Sequence, residues 1–155
     1  MRTLDEWLDA YGEDHQNPTN QIIHKFCVPL IMLSLLGLLW TIPTPSMLSS
    51  IPFFNWAVVF CASCLVFYTI LSPLFALAMF FMAAAMLYVV SMIALTGHTI
   101  AICSGIFVVA WIGQFYGHKV EGKKPSFLTD LQFLLIGPLW VIKDLIPRGQ
   151  KKPAT

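Results

Sequence analysis

The chain has 155 residues, of which 57% are hydrophobic and 11% charged, with a formal net charge of +1. That near-neutral balance gives no general pull toward nucleic acid or an acidic partner. From Phe26 to His118 there is no Asp, Glu, Lys or Arg, which excludes a water-soluble domain and leaves an all-α integral membrane protein as the fold class.

Residues 1–21 carry Asp5, Glu6, Asp9, Glu13 and Asp14. They lack the basic start and apolar stretch of a signal peptide and are expected to remain as a polar N-terminal segment. Asn17 is placed as an N-cap with Pro18 at the first helical position, where a missing N–H costs nothing. Four membrane spans of roughly 20 residues are then expected, at about 22–42, 53–71, 73–95 and 99–116. They are separated by Pro43-Thr44-Pro45-Ser46, by Ser72-Pro73 and by Thr96-Gly97-His98. No strand is expected. Residues 127–146 are apolar but broken by Gly137-Pro138 and flanked by Asp130, Lys143 and Asp144. They read as a pair of short interfacial or re-entrant helices rather than a fifth span, followed by a polar tail at 147–155. The whole is one membrane domain, and a homo-oligomer is compatible with its size.

Lys119, Lys123, Lys124, Lys143, Arg148, Lys151 and Lys152 all follow the fourth span. The bias of basic residues toward the cytoplasm therefore places both termini there, in the inner membrane of a bacterium or the endoplasmic reticulum of a eukaryote. Four spans then bring His15, His24 and His118 to one membrane edge. His98 does not join them easily, because an unbroken helix would hold it about 30 Å from His118. Cys27, Cys61, Cys64 and Cys103 fall within apolar segments. Even the CxxC spacing of Cys61 and Cys64 reads as packing rather than redox chemistry.

Asn20 and His24 are four residues apart, and Gln114, His118 and Glu121 recur at spacings of four and three, so each set shares one helix face. Polar groups at membrane depth should turn toward the bundle and find one another. Three imidazoles converging on one point suit a borderline divalent ion such as Fe(II) or Zn(II). A hydrogen-bonded structural cluster or a headgroup-binding patch would use the same residues, and the spacing alone does not choose.

These residues carry a resemblance to a known family. Tyr11, His15-Gln16-Asn17-Pro18-Thr19-Asn20-Gln21-Ile22-Ile23-His24 and Val28-Pro29 form a front block. Trp111-Ile112-Gly113-Gln114-Phe115-Tyr116-Gly117-His118, Glu121, Lys123-Lys124-Pro125 and Gly137-Pro138 form a back block. In both, the chain resembles the membrane-bound, Fe(II)-dependent 2-hydroxy fatty acid dioxygenases of fatty-acid α-oxidation. It departs from the yeast-type pattern at His15-Gln16, where that pattern has consecutive histidines, and in a stretch between His118 and Pro125 that is one residue shorter. The resemblance implies His15, His24 and His118 as Fe(II) ligands and His98 as the counterpart of a further family histidine. It also implies Asn20, Gln114, Glu121, Lys123 and Lys124 as supporting or substrate-binding groups. The implied reaction turns a 2-hydroxy fatty acid and O2 into the one-carbon-shorter acid, CO2 and water, the substrate supplying all four electrons.

Lys25, Lys119, Lys123 and Lys124 around the site are expected to anchor the chain to anionic headgroups before any role with the substrate carboxylate. Met79, Phe80, Phe81, Met82 and Met86 could line an acyl chain or simply pack. Two other functions compete: a small four-helix transporter and a non-catalytic membrane scaffold. Proton-coupled transport lacks the intramembrane acid it ordinarily needs. The four histidines are too few for a di-iron site, and no HExxH motif supports a zinc protease.

Overall fold

The Asn17 side chain accepts a hydrogen bond from Thr19 N at 2.9 Å, and Pro18 follows as the first helical residue. The first long helix therefore begins a turn earlier than hydropathy alone places it. The computed structural model describes residues 3–13, 15–48, 50–122 and 135–143. Its helices in chain order are α1 (Leu4–Glu13), α2 (Pro18–Trp40), a single 3-10 turn at Ser46–Leu48, α3 (Trp56–Leu71), α4 (Pro73–Ala94), α5 (Thr99–Glu121) and α6 (Ile136–Ile142). Among the described residues there is no strand.

Local chemistry explains where the boundaries differ from the expected spans. Asn55 caps α3 by accepting from Ala57 N at 2.8 Å, and Phe53, with φ of 60°, lies outside the helix. α3 is therefore 16 residues, about 24 Å long, against about 30 Å for a bilayer's hydrocarbon core. α2, α4 and α5 are each long and apolar enough to cross a membrane, which marks this as a membrane protein. Ser72 separates α3 from α4 in an extended conformation (φ −167°, ψ 118°), because the ring of Pro73 disfavours helical geometry in the residue before it. α5 continues past residue 116 to Glu121, where Gly122 caps it in the left-handed conformation at φ 76°. His118 and Glu121 thus sit on rigid helix. α1 was not expected from hydropathy.

Of the expected interfacial segment, α6 is described, whereas 127–134 and the tail lie outside the described residues. Gly137-Pro138 opens α6 rather than interrupting it. Pro138 falls in the first turn, where backbone N–H groups have no intrahelical acceptor to lose.

α2 and α5 pack antiparallel in constant register, with Gly37 against Cys103, Gly113 against Cys27, and Gly117 against Asn20 and His24. A Cβ on Gly37 would overlap the Cys103 sulfur, so the helices approach to the limit set by a missing side chain. Leu36, Ala57, Cys61 and Val90 fill the lower core between α2, α3 and α4. At the opposite end α1 and α6 close over the α3–α4 corner, burying Leu8, Tyr11, Tyr68, Phe75, Met79, Leu139 and Trp140 together. Tyr68 Oη donates to Leu135 O at 2.9 Å and ties α6 to that corner. Large side chains on the helices' outer faces, among them Phe26, Val66, Phe81, Tyr88 and Val109, stand exposed. In a bilayer they would face lipid.

Gly37→Leu should overpack the α2–α5 contact and cost about 1–3 kcal/mol. Gly105, on α5, has nothing within 4 Å of where a Cβ would sit, so Gly105→Leu is the control. Unfolding in detergent should show a clear loss of midpoint for the first variant and little for the second.

Candidate functional site

Tyr11 and His15 are four residues apart at the end of α1, where the chain turns back through a His15 N to Gly12 O hydrogen bond of 3.0 Å. Their rings stack at 4.2 Å with planes 4° apart. α2 brings His24 beneath this stack and α5 brings His118 beside it. Ring centroids are 4.2 Å apart for His15 and His24, 5.1 Å for His24 and His118, and 6.1 Å for His15 and His118. All three are buried, at 4%, 2% and 5% exposure, far from one another in sequence. Trp140 of α6 covers the cluster, its ring 5.3 Å from Tyr11 and 5.5 Å from His15.

Hydrogen bonding constrains the imidazole protons. The Tyr11 carbonyl can only accept, so His15 Nδ1 donates to it at 2.7 Å. In a neutral His15 the other nitrogen then carries a lone pair, and it accepts from His24 Nδ1 at 2.8 Å. The Tyr11 hydroxyl lies 3.3 Å from the same His24 nitrogen. His24 Nε2 is left as a buried lone pair with no hydrogen-bond partner within the protein. It faces Gly117, whose built Cβ would lie 3.4 Å from it and would overlap Asn20 Oδ1.

The α5 carboxylate does different work. Glu121 accepts from the backbone N–H groups of Gln16 (2.8 Å) and Asn17 (2.9 Å) and from Asn20 Nδ2 (2.9 Å). It clamps the end of α5 onto the start of α2, and Gln21 Nε2 adds a bond to His15 O at 2.8 Å. Asn20 and Gln114 are buried, and Asn20 Oδ1 and Gln114 Oε1 have no hydrogen-bond partner within the protein.

Of the residues singled out from sequence, His15, His24, His118, Asn20, Gln114 and Glu121 are therefore brought to one end of the bundle. His98 is not: it is exposed at the head of α5, in a shallow depression with Thr41, Gly97 and Thr99. Unbroken α5 separates it from His118 by about 30 Å. Lys123 and Lys124 lie outside the described residues. Three roles were not read from sequence, those of the Tyr11 carbonyl and hydroxyl, the Trp140 cover and the space at Gly117. The available signals were the i, i+4 spacing of Tyr11 and His15 and of Gly113 and Gly117, which marks side chains sharing one helix face.

Three neutral imidazoles are the right donor chemistry for Fe(II) or Zn(II), and the buried acceptors beside them are groups that a cation would satisfy. Among the described residues, however, no three His, Cys, Asp or Glu side chains are grouped as an ion's ligands. The His15 and His24 rings are turned toward each other by the bond between them. The cluster thus fits a divalent ion in donor type and proximity, with ring reorientation needed to close it on one point.

Below the cover, a wholly apolar groove runs between α2, α3 and α4. Its walls include Met32, Leu36, Phe60, Tyr68, Met82 and Met86. Met79 lines it too, whereas Phe80 and Phe81 point outward at 51% and 63% exposure. Cys61 and Cys64 are free thiols in the same wall, consistent with packing.

Gly117→Ala should push Asn20 and His24 away from α5. The expected result is a stability loss of about 1–3 kcal/mol, together with shifted imidazole resonances of His24 in NMR spectra of ring-labelled protein. Unchanged resonances would mean that the helices move apart as rigid bodies and the cluster does not depend on this contact.

The family described as 2-hydroxy-palmitic acid dioxygenase Mpo1-like matches residues 1–148. The chain is also 27% identical over 145 residues to the 2-hydroxy-palmitic acid dioxygenase MPO1 of Saccharomyces cerevisiae, covering 90% of this chain and 77% of the yeast protein. No solved structure matches the chain.

Proposed function

The chain belongs to the Mpo1-like family, and from that premise we propose that it is an Fe(II)-dependent dioxygenase that shortens 2-hydroxy fatty acids by one carbon, releasing CO2 and water. The observation that carries this reading is the gathering of His15, His24 and His118, from two distant parts of the chain, into one buried cluster at the end of an apolar bundle. Those three imidazoles would hold the iron, His15 by giving up the bond that its Nε2 accepts from His24 Nδ1. The ion would supply the one-electron chemistry with O2 that no side chain here provides.

The remaining residues would position the substrate and keep water out. Trp140 and the stacked Tyr11 shield the histidines, so the carboxylate end of the substrate would meet them in a dry pocket, where charge interactions are strongest. Lys25 and Lys119 lie exposed at the same membrane edge, placed to hold anionic headgroups and to favour approach of an acidic substrate. The acyl tail would occupy the groove between α2, α3 and α4. Met32 and Leu36 lie two and three turns below His24, about 12 and 18 Å along α2. A methionine-rich wall can adapt to a flexible chain.

This reading carries a topology. α2, α4 and α5 span the membrane, α3 completes a fourth crossing through its flanking loop, and α6 belongs to a segment at the cytoplasmic surface with both termini on that side. Transport is less favoured, because the groove contains no ionisable acid and ends beneath the cover.

Purified protein should retain about one iron per chain and consume O2 with 2-hydroxypalmitate, a stoichiometry that follows from a single mononuclear site. His24→Ala should lose both, and wild-type protein without iron or oxygen uptake would sink the assignment. Ala83, on the groove wall, tests the tail site separately. Ala83→Trp should shift preference toward shorter 2-hydroxy acids, by about fourfold in kcat/KM per CH2 no longer buried, from ~0.8 kcal/mol each. An unchanged chain-length profile would place the tail elsewhere.

A further inference from the structure

We infer that the side-chain carbonyl of Asn20 is an oxygen donor to the same divalent ion, aimed at it by Glu121; this rests on the histidine reading above. The amide's orientation is fixed by its partner. A carboxylate accepts and cannot donate, so the 2.9 Å contact with Glu121 must be made by the Asn20 NH2. Oδ1 then points the other way, inward, at a residue with 0% exposure, and finds no hydrogen-bond donor within the protein.

A second and independent device aims His24 at the same place. The Tyr11 carbonyl fixes the proton on His15 Nδ1, and His15 Nε2 accepts from His24 Nδ1; once His15 turns its lone pair to the ion, the Tyr11 hydroxyl, 3.3 Å away, is the acceptor left for that N–H. The remaining nitrogen, His24 Nε2, lies against Gly117, 3.4 Å from where a Cβ would sit, and Asn20 Oδ1 packs against the same glycine. Two buried electron-pair donors thus lie against the backbone of Gly117, and each has its proton-bearing atom held elsewhere. The neighbouring donor groups do not relieve them. The Tyr11 hydroxyl lies on the Nδ1 side of His24, and the Trp140 N–H lies near Gly12. A cation is the chemistry that satisfies both at once, and a neutral amide oxygen beside imidazoles suits Fe(II) or another borderline divalent ion.

Glu121 is a positioning residue in this account. Its two oxygens orient the amide and hold the Gln16–Asn17 backbone. Glu121→Gln separates the two tasks. One Gln oxygen can still take the Gln16 N–H at 2.8 Å and the Asn17 N–H at 3.2 Å, while its NH2 faces Asn20 and favours the reversed amide, which puts an NH2 in the place of the oxygen donor.

The test is Fe(II) affinity of the full-length protein in detergent, measured anaerobically by chelator competition, with the visible spectrum of the Co(II)-loaded protein and the thermal midpoint recorded in parallel. Glu121→Gln and Asn20→Leu should each weaken Fe(II) binding by about tenfold or more, in the range for lost metal-site support. They should also alter the Co(II) bands in protein that still unfolds in one cooperative thermal transition. Wild-type affinity and an unchanged Co(II) spectrum in the variants would overturn the role of Asn20 while leaving the three histidines standing. Wild-type protein that binds neither metal would remove the histidine reading itself. If one variant fails to fold, the other decides by the same criteria.

Discussion

The site depends on how closely α2 and α5 can approach. His24 and His118 lie on these two helices, and their rings meet because the contact is made across Gly37, Gly113 and Gly117 rather than across side chains. In lipid there is no hydrophobic gain from bringing two apolar helices together, so association rests on close packing and on polar groups that find partners across the interface. Both are present here. Small residues set the distance along the pair, and the Glu121 clamp fixes the register at its end. A slip of one turn, about 5.4 Å, would separate the imidazoles.

The clamp also resolves a problem created by placing a histidine just before a helix. The first N–H groups of α2 need acceptors, and the chain entering it has to be held over the cluster. Asn17 serves Thr19 N from the N-cap position just before the helix, and Glu121 serves the Gln16 and Asn17 N–H groups from across the bundle. A carboxylate at a helix N-terminus is favoured by the helix dipole as well as by its hydrogen bonds. The same interaction joins the two sequence blocks and orients Asn20, so fold stability and site geometry are coupled through one side chain.

Much of this was legible in the sequence because the relevant signals are periodic or compositional. The charge-free run from Phe26 to His118 announces the membrane class, and Asn17-Pro18 and Ser72-Pro73 mark boundaries that the helices respect. α3 starts later than the expected span because Phe53 and Phe54 read as apolar span residues, whereas Asn55 captures the first free N–H group and sets the helix start. The end of α5 was placed too early because polarity increases after Tyr116, although the helix continues until Gly122 supplies a left-handed cap. Hydropathy reports where lipid could be, and capping reports where helix is. Tertiary roles were less accessible. That Glu121 would bond to Gln16, Asn17 and Asn20 rather than join the histidines, and that Trp140 would cover them, depends on the packing of distant helices, which spacing within one helix cannot encode.

A purely structural polar cluster should end with its hydrogen-bonding capacity used, because a buried polar atom left without a partner costs free energy that the fold must recover elsewhere. Part of this cluster meets that standard: Tyr11 O, His15 and His24 Nδ1 form a bonded chain, and Glu121 is filled by the Gln16 and Asn17 N–H groups and Asn20 Nδ2. The other part does not. Asn20 Oδ1, His24 Nε2 and Gln114 Oε1 remain as acceptors without donors within the protein, beside a third imidazole and beneath an aromatic cover. Asn20 Oδ1 and His24 Nε2 lie together against Gly117, where the two sequence blocks meet, and the bonded groups behind them fix which atom of each faces inward, whereas the partnerless N–H donor of Trp140 sits apart, near Gly12. That asymmetry is the pattern expected of a site built to receive something positive, and it favours a metal-dependent activity over a scaffold.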